Sequence, residues 1–128
     1  MNPKTTVEFY QSLGKLFYAI SAIDHSVKEE EFKCLETIIK TEWLPLNHDA
    51  ILILNTFKQL QNNKTHDPHR YFQSFVDFKS THSSLFDKTM NSKILKTASA
   101  ITASFSGQNK SELILLAKLD LELKKGEP

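Results

Sequence analysis

Apolar residues recur along this chain at alternating spacings of three and four, the rotation of an α-helix, and no segment alternates strictly between hairpin turns. Phe9, Leu13, Leu16, Ile20 and Ile23 share one face of a first helix predicted from Pro3-Lys4 to about His25. Gly14 inside it marks the close approach of another helix. Ser26-Val27-Lys28-Glu29 fits a capping box, opening a second helix with Phe32, Leu35, Ile38 and Ile39 as its stripe. That helix ends by Leu44, because Pro45 disfavours α geometry in the residue before it. Asn47 caps a third helix with Asp49 in its first turn and core residues Ile51, Leu54, Phe57 and Leu60.

After a polar loop over Gln61–His66, Asp67 caps a fourth helix with Pro68 at its favoured first position. Tyr71, Phe72, Phe75, Val76 and Phe78 make that helix dense in aromatics, a stripe expected in the core unless Tyr71 or Phe72 is left outside as a patch for a partner helix. Ser83 or Ser84 caps a fifth helix, expected from about Leu85 to Ser104 along Phe86, Met90, Ile94, Ala98 or Thr97, Ile101 and Phe105, with Gly107 ending it. Asn109-Lys110-Ser111-Glu112 repeats the capping pattern before a sixth helix carrying Leu113, Leu116, Leu119 and Leu123. The reading is an all-α, single-domain bundle of about six helices over residues 1–128.

The chain also echoes itself. Ala19-Ile20-Ser21-Ala22, then Glu31-Phe32 and Leu35, return 81 residues later as Ala100-Ile101-Thr102-Ala103, Glu112-Leu113 and Leu116. Each copy reads as the end of a small-residue helix, a polar turn and a new helix opening on acidic or polar residues, a weak helix–turn–helix pseudo-repeat.

Composition narrows the function. One Arg among sixteen basic residues argues against a specific nucleic-acid reader, since bidentate phosphate and base contacts favour Arg. The net charge is only +1. The single Cys34 forms no internal disulfide, which suits a reducing compartment, and no apolar run approaches the roughly 20 residues of a membrane helix. A cytoplasmic protein with no signal segment and no membrane insertion is expected.

Four groups of residues are candidates for chemistry. Asp24 and Glu31 flank the first turn, where carboxylates can ligate a hard cation such as Ca²⁺ or Mg²⁺. A Ca²⁺ site takes roughly six to eight oxygens and commonly a Gly, whereas this turn has no Gly and holds Lys28, so acids complementing a helix dipole are the plainer reading. His66 and His69, with His82 further on, have zinc-like residue types but lack the ligand count. Cys34 beside the apolar stripe reads as an inert thiol rather than a nucleophile partnered by His25. Residues 24–42 carry a net −3 and residues 79–96 a net +3, opposed faces that can steer a charged partner or pair two copies head to tail.

The run Ala19-Ile20-Ser21-Ala22-Ile23-Asp24-His25-Ser26-Val27-Lys28-Glu29-Glu30-Glu31-Phe32 resembles the signature of the TerB-like tellurite-resistance domains, related to a domain of a membrane-anchored DnaJ-type co-chaperone. Asp24 matches the signature Asp, Val27 its hydrophobic position and Glu31 its Glu, while His25 stands where the family has Gly. The second copy has Phe105-Ser106-Gly107 in place of Asp24-His25-Ser26 and keeps only Glu112 of the acids. The resemblance implies an all-helical domain with an internal pseudo-repeat, stress-response partners and divalent-cation binding through acidic residues. The expectation is therefore a non-enzymatic accessory domain that binds another protein, with a homo-oligomer compatible. The alternative is a divalent-cation binder with Asp24, Glu31 and Glu112 as ligands; no other cofactor is expected.

Overall fold

A computed structural model describes residues 2–24, 27–63, 67–104 and 109–126. Among these the chain forms six α-helices and no strand: α1 (Pro3–Ala22), α2 (Glu29–Ile38), α3 (Ile51–Asn63), α4 (Pro68–Thr81), α5 (Lys88–Ala103) and α6 (Lys110–Lys124). A π-helical turn, Ile39–Trp43, extends α2, and the 3₁₀ turns His48–Ala50 and Ser83–Leu85 precede α3 and α5. No helix of the described residues is long and apolar enough to cross a membrane.

α1 is the hub. Every residue from Leu16 to Ala22 is buried, so its C-terminal half is covered on all sides. It packs chiefly on α3 and α4, and also on α5 and α6. Gly14 makes the α3 contact possible: a Cβ there would lie 2.7 Å from Thr56 Cβ and 2.8 Å from the Ile53 carbonyl oxygen.

Helix starts follow local side-chain chemistry. Asn2, Asp67, Asp87 and Asn109 each accept a hydrogen bond from the amide three residues on, and Asn47 accepts one from Asp49. Three expectations need correction here. α5 is capped by Asp87 rather than Ser83 or Ser84, which lie in the short 3₁₀ turn before it. α2 opens at Glu29, where Glu31 Oε1 accepts from the Lys28 amide at 2.9 Å, so the capping carboxylate is Glu31 rather than Glu29. α1 closes at Ala22, short of His25. Ser26, Phe105 and Gly107 lie outside the described residues.

Two helices also turn differently about their own axes. Ile51 is exposed, and α3 is buried along Ile53, Leu54, Thr56, Phe57 and Leu60. In α6 the buried stripe is Glu112, Leu115, Leu119 and Leu123, while Leu113 is exposed and Leu116 half-buried. The aromatics of α4 belong to the core: Phe75 is fully buried, and Tyr71, Phe72 and Phe78 pack against it. No aromatic among the described residues is exposed.

The tight α1–α3 crossing has a measurable consequence. Gly14→Ala places a methyl group inside van der Waals contact of Thr56 and of the α3 backbone. Ala favours a helix over Gly by about 1 kcal/mol, but overpacking costs about 1–3 kcal/mol and falls here on backbone that cannot give way, so the variant is expected to lose up to about 2 kcal/mol net, as read by urea denaturation. A gain in stability would mean that α1 and α3 separate at no cost.

Candidate functional site

The two copies of the sequence echo meet in space. α1 ends at Ala22 and α5 at Ala103, while α2 begins at Glu29 and α6 at Lys110, the same 81-residue offset at both boundaries. Packing is reciprocal: α2 rests on α5 and α1 on α6. Ser21 and Thr102, equivalent in the two copies, are both buried. Cys34 Sγ of the first copy donates to the Ala100 carbonyl oxygen of the second at 3.5 Å.

At this junction Asp24, Glu31 and Glu112 converge. Glu31 and Glu112 are each the third residue of their helix, and they are only 1% and 2% exposed. Both helix N-termini turn their amide ends toward these acids, favourable to negative charge. The Glu112 carboxyl is a close neighbour of Glu31 and acts on it both as a hydrogen-bonding group and as a charge. Glu31 uses Oε1 on the Lys28 amide, and neither Glu31 Oε2 nor Glu112 Oε2 has a donor among the described residues. A proton on one carboxyl would supply a donor that the ionised pair lacks. Asp24, at the end of α1, accepts from Asn109 Nδ2 at 2.8 Å, and Asn109 Oδ1 caps α6. A single asparagine thus ties the first turn to the start of the last helix.

Burial raises the Glu31 pKa, with smaller contributions in the same direction from the hydrogen bond and charge of Glu112 and the charge of Asp24; the Lys28 amide opposes them, and the result is about 8. A carboxyl this shifted is protonated at neutral pH. Among the described residues no three His, Cys, Asp or Glu are arranged to hold a metal ion; the convergence is a buried carboxyl pair in which Glu31 keeps its proton, with Asp24 beside it.

The other candidates are dispersed. His66 lies outside the described residues. His69 and His82 stand at opposite ends of α4, about 20 Å apart along its axis. The His82 ring stacks on Phe78 at 4.2 Å between ring centres, and its Nδ1 lies 3.1 Å from the Phe78 carbonyl oxygen. The Cys34 thiol is half-buried, and burial raises its pKa against an opposing hydrogen bond from Ser104, so the nucleophilic thiolate is disfavoured. Sequence reasoning missed the partnership of Asp24 with Asn109, although Asn109 had a visible role as a cap.

The Glu31 shift sets a pH dependence. The unfolded chain releases this proton near pH 4.5 and the folded chain keeps it to about pH 8. In that window the folded state binds more protons, so stability is greatest below the unfolded pKa and declines as pH rises through the folded one. The decline is expected at up to about 1.4 kcal/mol per pH unit, read by urea denaturation at pH 5, 6, 7 and 8. Glu31→Gln keeps an acceptor for the Lys28 amide and removes the charge, so it is expected to flatten this slope and to raise the melting temperature at pH 8. An unchanged slope would show that Glu31 is already ionised at neutral pH.

No family model, curated protein or solved structure matches this chain.

Proposed function

We propose that the chain is a non-enzymatic, TerB-like accessory domain that binds another protein through the outer face of α6. The observation that carries this reading is the exposure of Leu113, Ile114 and Leu121, at 49%, 48% and 66%, in a helix that also buries Leu115, Leu119 and Leu123. A helix apolar on both sides is normally covered on both. Here the outer ridge is flanked by two grooves. One, of about 470 Å³, runs beside Ile23, Pro68 and Ile114; the other, of about 300 Å³, beside Leu95, Leu113 and Ala117. A ridge between grooves is the relief against which a partner helix packs. The protonated Cys34 thiol and the engaged His82 ring support a binding role over catalysis.

A second reading has its own observation. Glu31 Oε2 and Glu112 Oε2 are buried without a donor, and a hard divalent cation entering between them would replace the Glu31 proton. Asp24 can join as a third oxygen ligand by exchanging Asn109 for the cation. This site would then be a structural cation centre at the junction of the two copies.

One set of measurements separates the readings. A photo-crosslinking residue at position 114 or 121 is expected to trap one discrete partner in cells, whereas the same residue at exposed Asn55 on α3 is not. Leu113→Glu is expected to abolish that product while leaving the melting temperature of the purified chain unchanged. Equal crosslinking from Asn55, or none at all, would remove α6 as the binding face. For the cation reading, Ca²⁺ or Mg²⁺ at about 100 times its dissociation constant adds roughly 2.7 kcal/mol to wild-type stability, and Glu31→Gln loses the response. No response to either ion at pH 7 and 8 would leave the pair with its proton.

A further inference from the structure

A separate groove of about 450 Å³ lies between α5 and the end of α2 with its π-helical extension, within the size range of small-molecule sites. Ile38 and Ala100 give it apolar walls. The π turn shapes one side: the Leu44 amide donates to the Ile39 carbonyl oxygen five residues back at 2.8 Å, and Trp43 is turned inward, its Nε1 donating to Thr97 Oγ1 at 3.2 Å. Such single π turns recur at binding sites because they re-aim side chains without ending the helix.

The polar equipment of this groove is cationic. Lys93 and Lys96, one turn apart on α5, bring two ammonium groups to it, against one carboxylate from Glu42. Lys93 is fixed in place: its ammonium donates to the Glu42 backbone carbonyl oxygen and lies 4.9 Å from the centre of the Trp43 ring. Burial lowers its pKa and the Glu42 charge opposes the shift. Lys96 is exposed and has no ion pair or hydrogen bond among the described residues. Thr41 and Thr97 spend their hydroxyl protons on the Thr37 and Lys93 carbonyl oxygens, which leaves the Ser92 hydroxyl and the two ammonium groups to meet a ligand. Two lysines against one glutamate leave a single positive charge, the complement of one negative charge.

We propose that this groove binds a small organic monoanion, an apolar body bearing one carboxylate. The carboxylate sits between Lys96 and Lys93 within reach of Ser92, and the apolar body lies along Ile38 and Ala100. Lys96 sets the preference for an anion, and Ala100 leaves the space that the body fills.

The test titrates the full chain with octanoate, following backbone amide shifts by NMR, beside octanol and acetate at equal ionic strength. Octanoate is expected to saturate shifts in residues 38–42 and 92–100 with a dissociation constant below about 1 mM, while octanol and acetate each bind at least about tenfold more weakly. Lys96→Met, at an exposed position, is expected to weaken octanoate about fivefold or more and leave octanol unchanged; Ala100→Leu fills the groove and abolishes binding. Equal binding of octanoate and octanol would overturn the proposal. So would shifts centred elsewhere, no saturation, or octanoate affinity unchanged in Lys96→Met.

Discussion

The structure depends on one helix being covered from every direction. From Leu16 to Ala22 the side chains of α1 are buried whichever way they point, so the other elements must be distributed around it rather than layered on one face. Such a helix needs neighbours at unequal distances. α3 comes closest, because Gly14 presents no Cβ and lets Thr56 and the Ile53 carbonyl oxygen reach the α1 backbone. α4 contributes bulk on another side, where Phe9 packs with Phe78 and Tyr18 edges onto Tyr71, and Phe86, between α4 and α5, closes on Phe9. The small residues Ala19, Ser21 and Ala22 narrow the last turns of α1, and α6 approaches the same helix.

Features carried by short-range chemistry were legible in the residues. Asp67-Pro68 and Asn109 act as a cap can only act, and Gly14 marks a contact because a glycine inside a strongly periodic helix has few other reasons to be there. The 81-residue echo was legible because equivalent turns demand equivalent residue types, and the helix boundaries keep that offset. The rotation of α6 was not. Leu113-Ile114-Leu115-Leu116 is an unbroken apolar run, which carries no phase of its own. Its phase is set at the two ends. Glu112 faces Glu31 at the N-terminus, while at the C-terminus Asn91 Nδ2 donates to the Leu123 carbonyl oxygen and Lys79 Nζ to that of Lys125. Those partners lie far away in sequence, so local periodicity could not supply the answer. Asp87 is a different case: its bond from the Met90 amide is local, but two serines just upstream carry the same capping chemistry.

The site was legible in its members but not in its chemistry. Asp24, Glu31 and Glu112 could be singled out because they occupy equivalent or adjoining places around two turns. Their charge state could not be read, since it depends on how deeply the turns bury one another. An exposed glutamate at a helix start stabilises through the dipole; the same residue at 1% exposure beside a second carboxyl loses more to desolvation than the dipole returns. Burial therefore reverses the effect of Glu31 on stability between low and high pH.

Symmetry explains why this conflict sits where it does. When two similar halves pack reciprocally, the same position of each meets its counterpart, so like meets like at the centre. Apolar and small residues tolerate that; Ser21 and Thr102 are buried at equivalent positions, Thr102 donating within its own helix to the Ser99 carbonyl oxygen. Charged residues do not, and the chain has met the difficulty in two ways. At one place the copies have diverged: Asp24 of the first hydrogen-bonds Asn109 of the second, where the first copy has Lys28, and the contact becomes a complementary pair. At the other, Glu31 and Glu112 have stayed alike, and their outer oxygens lack a donor among the described residues. A proton or a small cation is what such a pair requires. A charged position that the two copies share is thus the part of the pseudo-repeat whose stability depends on what the solvent supplies.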